Sequence, residues 1–599
     1  MCLLMSRLYR SYILAAGLLS FVVATGCAPD PGGNGSGTGG QSSAGAAGSG
    51  NTTGAAGNTG AAGQVTGQAG NTGAAGEVTG QAGNGAGPGS GGSNPTGVAG
   101  SGPAGTTGSG AAGAAGGNPA GRGGGPAGAG GSQAAGRGGN GGGAAGAGAT
   151  GGTTPAVEPK LITSALNNYW KTGTLTEVTT GTIDVTVNDT AAQSWDGMGG
   201  TFNEVGWNVL MMLTAAERDR AMKLLFDATD GARFQNGRIP IGASDYAVTR
   251  YTLNDTAGDT AMTSFSINHD NQYLIPYIKA ALAIKSDINL WASPWSPPAW
   301  MKTNNAIDGG SMKEDATNLQ AFALYLAKFV EEYGKVGINI KAIHPQNEPG
   351  YETRYPSCLW TAAGMTTFIG TYLGPLFASR NVTAQIYLGT MSNNESGKDG
   401  TIVTTVNGNA TASGYVKGYG LQWNMLPIVG GLRSRNLPIV QTEHKCGNYP
   451  WETTTFNANT APNDYAYAKE SWGLIRDWIK AGVTSYSAWN MVLDTAGKNS
   501  DMTRPWPQNA LLTVNTSAKT LTVTPAYYVF RHVSQYVDAG AKVVTTGGSS
   551  DALAFKNPDG TFVAVVYNAG AARNYIVSVA GKRQQFMMPA DGWATINWK

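Results

Sequence analysis

The feature that most constrains this 599-residue chain is a tract at residues 28–155 made mostly of Gly, Ala, Ser, Thr and Asn, with hardly any large apolar side chain. Such a segment cannot bury enough surface to offset the conformational entropy of ordering it, so it is expected to stay outside any core. A 13-residue unit occurs twice in tandem, NTGAAGQVTGQAG at 58–70 and NTGAAGEVTGQAG at 71–83. The glycine spacing drifts, which excludes the strict three-residue period of collagen. As a flexible chain the tract would span on the order of 60 to 70 Å, the dimension of a tether.

The residues ahead of it explain what a tether would be for. Arg7 and Arg10 precede an apolar run at 12–23, followed by Ala24-Thr25-Gly26-Cys27. A basic start, a short apolar stretch and small residues before a cleavage point are the marks of a secretory signal, and the run is shorter than the roughly 18 residues of a spanning helix. Ala24-Thr25-Gly26-Cys27 also resembles a bacterial lipobox, in which Cys27 becomes the acylated first residue. An ordinary cleaved signal with an incidental cysteine is the alternative. The organisation expected is a lipoprotein signal peptide at 1–26 and a linker at 27–155. The protein is then secreted and held to the cell envelope by an N-terminal lipid, facing outward.

The remainder is rich in Trp, Tyr and Ile and long enough for a large core. With 39 Lys and Arg against 37 Asp and Glu and no basic run, nucleic acid is not an expected partner. Short apolar runs alternate with amphipathic helical stretches, the pattern of βα units around a parallel sheet. Strands are expected at 197–202, 238–242, 289–293, 340–344, 385–389, 418–423, 439–442 and 485–489. Eight such strands suit a (β/α)8 TIM barrel over 195–522. Thr214-Ala215-Ala216-Glu217 reads as a capping box opening a helix to about Phe226. Phe322, Leu326, Phe329, Val330 and Tyr333 lie on one face of another at 319–333, with Gly334 as its stop. After Pro525 the period changes to two, with Gly-containing turns at 558–560, 568–570 and 580–581. Antiparallel strands are expected there, forming a β-sandwich over 523–599. The Thr-rich alternation at 175–187, within an N-terminal segment at 156–194, is expected to add a strand to that sandwich, making one interleaved structure of the two parts.

In a (β/α)8 barrel the reactive groups sit at the C-terminal ends of the strands, which singles out two glutamates. Glu348 follows the fourth expected strand and precedes Pro349; Glu443 follows the seventh. Two carboxylates facing one pocket are the requirement of glycoside hydrolysis, one protonating the leaving oxygen while the other attacks the anomeric carbon. A lone glutamate would more simply be a structural ion-pair partner. The pairing in this context favours catalysis.

The stretches around these residues carry a more specific likeness. WDGMGGTFNE (195–204), RIPIGASDY (238–246), ASPWSPPAWMKTN (292–304), HPQNEP (344–349), YPSCLWTAAGMTTFIGTYLGP (355–375), QTEHKCGN (441–448) and WNMVLD (489–494) resemble, in order, glycoside hydrolase family 30. That clan A group includes glucosylceramidases and β-1,6-glucanases. The resemblance implies a retaining mechanism with Glu348 as general acid/base and Glu443 as nucleophile. It implies that Asp245 and Trp295 line the subsite of the non-reducing sugar, that Asn347 sits beside the 2-hydroxyl, and that Trp489 completes an aromatic floor. A carboxylate can bind two sugar hydroxyls, and an indole covers the apolar face of a pyranose. A β-linked glucan, an oligosaccharide or a glycolipid is the implied substrate, acted on by a monomer without a cofactor.

One position departs from the family pattern. Many members carry His-Trp-Tyr after the sixth strand, where this chain has Gln422-Trp423-Asn424. A neutral amide cannot serve as a titrating partner for the nucleophile, which leaves substrate preference and pH optimum open. His269, His344, His444 and His532 lack paired-ligand spacing, so no catalytic metal is expected. No nucleophile-elbow serine or phosphate-binding Gly-Lys-Ser/Thr loop occurs outside the low-complexity tract. The competing readings are a β-xylosidase or xylanase of the same family, or a non-catalytic surface carbohydrate-binding protein on the same fold. Cys358 and Cys446 would pair in an oxidising compartment or remain two buried thiols.

Overall fold

The computed structural model describes residues 160–599. The expected signal peptide, the lipidation site Cys27 and the linker lie outside the described residues.

Eight parallel strands close into a barrel in strict chain order. They are β1 (Gly197–Thr201), β2 (Asn236–Ile241), β3 (Asn289–Pro294), β4 (Ile340–Ile343), β5 (Gln385–Met391), β6 (Val416–Leu421), β7 (Ile439–Gln441) and β8 (Ser485–Asn490). Closure comes from β8 against β1, with Ser485 opposite Gly197 and Ala488 opposite Gly200. Every residue of β2 and of β8 is buried, as a parallel sheet covered by helices demands. The interior is packed with side chains. His344, just past β4, turns into the barrel beside Trp291, ring centroids 4.5 Å apart. It fits because Gly389 and Gly420 face it and a Cβ on either would collide with its ring. Burial and the charge of Arg238 hold its pKa well below the usual imidazole value, so it is a neutral plug.

The helices follow local chemistry. Thr214 caps Ala215–Phe226 by accepting the Glu217 N–H at 3.3 Å. The reciprocal half of the expected box is not made, because Glu217 is engaged by Arg220 at 2.9 Å one turn on. The helix expected at 319–333 is longer, Ala316–Lys335. Asp315 caps its start by accepting the Asn318 N–H, and it runs through Gly334, the left-handed glycine beyond its end being Gly337.

The second part is a ten-stranded sheet. Its order is Asn168–Gly173, Lys160–Ala165, Gly592–Trp598, Phe562–Asn568, Ala552–Lys556, Ala541–Gly548, Val185–Trp195, Arg573–Val579, Lys582–Met588 and Thr176–Val178. Four of these strands come from residues 160–195, so the N-terminal segment is woven through the C-terminal one. Leu161 pairs with Ile596 and Lys160 with Asn597. Alternation assigns the faces: Ala564 and Val566 join a core between the strands, while Val563 and Val565 join the core shared with the barrel.

The border between the parts falls later than the change of period at Pro525 suggested. Pro525–Ser534 is a helix, with the proline in its first turn where no N–H is needed. Its Phe530 packs on His444 and Tyr486 of the barrel at 5.2 and 6.1 Å between centroids. His532 on the same helix bonds Thr595 at 2.7 Å and Ser164 at 2.8 Å, one from each end of the described chain. A further small sheet, Val492–Asp494 with Leu512–Asn515 and Thr520–Val523, interrupts the run from barrel to sandwich and was not anticipated.

Candidate active site

The loop after β4 is held by the backbones on either side of it. Asn347 N–H donates to Pro294 O at the end of β3, and Glu348 N–H donates to Thr390 O of β5, each at 2.8 Å. Glu348 itself sits at φ +48°, a left-handed conformation that costs a non-glycine residue about 1 to 3 kcal/mol and persists here because its neighbours impose it. The carboxyl is buried and has one protein partner, Gln422 Nε2, which donates to Oε1 at 3.1 Å. Burial, and then the charge of Glu443, push its pKa up to about 8.

Glu443, two residues past β7, is treated in the opposite way. Arg238 Nη1 donates to its Oε2 at 2.7 Å, and Trp423 Nε1 donates to its Oε1 at 2.9 Å. Arg238 is the hub of the site. Fully buried on β2, it also donates from Nη2 to Asn347 Oδ1 at 2.6 Å and to Ser293 Oγ at 3.2 Å. Its guanidinium lies 4.3 Å from the Trp295 ring centroid. A cation this deep is tolerable only because a carboxylate, amide and hydroxyl oxygens and indole faces replace its water. Asn347 is oriented by the same network, its Oδ1 also accepting from Thr390 Oγ1 at 2.7 Å.

Beside this pair lies Asp245, past β2. Burial, followed by the charge of Glu443, raises its pKa to about 8, and its Oδ1 is buried without a hydrogen-bond partner. Its backbone carbonyl takes both the N–H and the hydroxyl of Ser500, each at 2.7 Å, tying the loop after Val492–Asp494 to the cleft. Trp295 and Trp489 stack with centroids 5.4 Å apart. All six residues singled out from the sequence, Asp245, Trp295, Asn347, Glu348, Glu443 and Trp489, line one cleft of about 580 Å³.

Several participants were not anticipated. Arg238 lies inside an apolar strand motif, where the sequence marks it only as part of a strand. Trp423 appeared only as part of a departure from the family pattern. The outer wall combines Trp423, Tyr449, Trp451 and Trp506, with Trp451 stacked on Tyr449 at 5.1 Å and 55% exposed. At Gln422 the structure differs from the expectation that this position faces the nucleophile. That side chain meets Glu348 and not Glu443: the chain turns as it leaves β6, with Trp423 in a left-handed conformation (φ +50°), and Trp423 takes the other carboxylate. Cys358 and Cys446 are both buried and free. Among the described residues no group of three His, Cys, Asp or Glu side chains assembles to hold a metal ion.

A closed parallel barrel carrying two differently held carboxylates at the C-terminal ends of its strands, in an aromatic-lined cleft, defines a glycoside hydrolase. Residues 195–537 match the glycosyl hydrolase family 30 TIM-barrel domain and residues 540–596 the glycosyl hydrolase family 30 beta sandwich domain, and the chain belongs to that family of retaining enzymes. It is similar to lysosomal acid glucosylceramidase of Mus musculus, 27% identical over 400 residues covering 63% of this chain and 75% of the relative. It is also similar to endo-1,6-beta-D-glucanase BGN16.3 of Trichoderma harzianum, 24% identical over 435 residues covering 66% and 82%. Among solved structures, the endo-beta1,6-glucanase BT3312 superimposes with a TM-score of 0.66 at 22% identity, over 74% of this chain and 99% of the other.

Proposed function

We propose that this chain hydrolyses β-glucosidic bonds with net retention, Glu443 acting as nucleophile and Glu348 as acid/base. The observation that carries the assignment is the asymmetry of the pair. Glu443 is held through both oxygens by Arg238 and Trp423 with a cation beside it, whereas Glu348 has one neutral donor and a pKa raised to about 8. In the first step a Glu443 oxygen bonds to the anomeric carbon as the carbon–oxygen bond to the leaving group breaks, and Glu348 passes its proton to the departing oxygen. In the second, Glu348 takes a proton from water as the water oxygen bonds to that carbon and the ester to Glu443 breaks. Two inversions leave the product β. Ester formation also removes the charge of Glu443, which lowers the pKa of Glu348 when it must act as a base.

Asp245, with its unpartnered Oδ1, is suited to a hydroxyl of the non-reducing sugar, and Trp295 and Trp489 to the apolar face of its ring. Similarity to a glucosylceramidase and to β-1,6-glucanases supports a glucose unit there, with the leaving group drawn from glycolipids, oligosaccharides or β-1,6-glucan. The basic start, apolar run and Cys27 support export and lipid anchoring of the mature chain, with the catalytic part at the end of its tether.

A 2-deoxy-2-fluoro β-glucoside with an activated leaving group tests the assignment. Mass spectrometry is expected to find the label on the peptide containing Glu443, and NMR of early hydrolysis to show the β anomer first. Label on another carboxylate, or a first-formed α anomer, overturns the roles of both residues. A catalytically silent carbohydrate-binding protein would give neither label nor turnover of aryl β-glucosides and β-1,6-glucan.

A further inference from the structure

We infer that Gln422 is a positioning residue that confines the acidic proton of Glu348 to its Oε2, the oxygen left free for the leaving group. The inference rests on the reading of Glu348 as acid/base. It begins with three atoms in a row: Thr442 Oγ1 donates to Gln422 Oε1 at 2.8 Å, and Gln422 Nε2 donates to Glu348 Oε1 at 3.1 Å.

Thr442 favours this direction of the row, because with the amide reversed its hydroxyl would accept from Nε2 and have only the shared, more distant Leu421 O to donate to. Its hydroxyl has two oxygens within reach, Gln422 Oε1 and the more distant Leu421 O at 3.3 Å, and Leu421 O already accepts the Thr442 N–H at 2.9 Å. With the hydroxyl donating to the amide oxygen, the amide NH₂ must face Glu348. An oxygen receiving an N–H is a poor place for a proton, so the acid form carries its hydrogen on Oε2. Among the described residues no protein donor or acceptor reaches Oε2. Reversing the amide would let the protonated carboxyl donate to Gln422 Oε1 and turn the acidic proton away from the substrate. Gln422 and Thr442 are fully buried, so water does not compete for the bond between them.

The neutrality of the amide has its own consequence. A donor that never titrates holds the proton in place across the whole pH range in which Glu348 is an acid. The titratable and charged groups that face Glu348 are Glu443 past β7, Arg238 on β2 and Asp245 beyond it, Asp399 after β5, Tyr351 and Tyr355 in its own loop, and Cys446. Gln422 hydrogen-bonds to none of these groups, so replacing it leaves them in place.

The test compares kcat/KM, which reports the first step, for an alkyl β-glucoside and for 2,4-dinitrophenyl β-glucoside in Gln422→Met, Gln422→His and Thr442→Val. Loss of the donor in Gln422→Met is expected to lower kcat/KM about tenfold or more further for the alkyl substrate than for the aryl one, which needs little proton assistance. The basic limb of its profile is expected to move to higher pH, because a bond that favours the carboxylate has gone. Thr442→Val, which frees the amide to turn, shifts the alkyl-to-aryl ratio the same way by a smaller factor. Gln422→His restores part of the alkyl activity through a ring N–H and adds an ionisation on the acidic side. Equal losses on both substrates with the basic limb unmoved in Gln422→Met and Thr442→Val overturn the positioning role. Glu348→Gln is the parallel control: if it too loses equally on both substrates, the acid/base reading has failed and not this inference alone. Melting temperature, followed on every variant, separates misfolding from either result.

Discussion

The β4 and β7 edges of the barrel mouth carry the same side chain into the same cleft and treat it differently. At the β7 edge, Glu443 has a buried guanidinium and an indole N–H on its two oxygens. At the β4 edge, Glu348 has one amide and no cation in bonding contact, and sits on a left-handed backbone dictated by β3 and β5. Repulsion acts on both members of the pair, but only one has the means to offset it. The difference teaches that the unlike settings of paired carboxylates follow from where the fully buried cation is placed, and here β2 delivers it to one side.

The sharpest way to break this comparison is to delete each carboxylate and offer azide. Glu443→Ala is expected to lose about 10⁴-fold or more in turnover and, with azide, to release α-glucosyl azide, because the anion enters from the vacated face. Glu348→Ala with an activated aryl glucoside is expected to release the β azide, formed from the glycosyl-enzyme. The same azide from both, read by NMR, would dissolve the distinction. Next in size is Arg238→Lys. A point charge cannot bridge Glu443, Asn347 and Ser293 as a planar fork does, so kcat/KM is expected to fall about 10²- to 10³-fold even with charge conserved. A loss within a few-fold would mean the cation's geometry is idle.

The third effect is on stability. A carboxyl whose folded pKa is raised contributes stability that is present below its unfolded pKa near 4 and is lost as pH rises toward its folded value, here about 8 for Glu348. Glu348→Gln is therefore expected to be more stable than the parent at pH 8, by on the order of a few kcal/mol, with the gap closing toward pH 4. Thermal unfolding across that range measures it, and a gap independent of pH would remove the raised pKa from the account. The smallest effect belongs to the rim. Trp451→Ala is expected to raise KM about three- to tenfold for substrates with a second sugar, from lost stacking, while leaving a minimal aryl glucoside nearly untouched.

The parts of this site that could be read in advance are those whose constraints lie close together in the chain. Buried parallel strands announce themselves as short apolar runs, so the eight barrel strands were legible to within a residue or two. Glu348 and Glu443 stand directly after two of them. Arg238 was not legible as a site residue because its reason for existing lies more than a hundred residues away at Asn347 and Glu443. Within its own strand a charged residue among apolar ones carries no partner's address. The contact of Gln422 with Glu348 was hidden for a related reason: which carboxylate the first side chain past β6 meets depends on how the chain turns as it leaves the strand. The small sheet at 492–523 escaped because the parallel pairing of Val492–Asp494 with Leu512–Asn515 straddles the loop between 495 and 511, and the hairpin at 512–523 turns through 516–519 with no glycine to mark it.

The pairing of Lys160 with Asn597 has a consequence in time. During synthesis the hairpin of Lys160–Ala165 and Asn168–Gly173 keeps one edge open until the last strand is made, a wait of about 20 to 90 s at 5 to 20 residues per second. That edge stays open throughout the interval in which the barrel is being made. All residues of the cleft are therefore made before the first described strand can meet the last, and the final strand acts as the clasp.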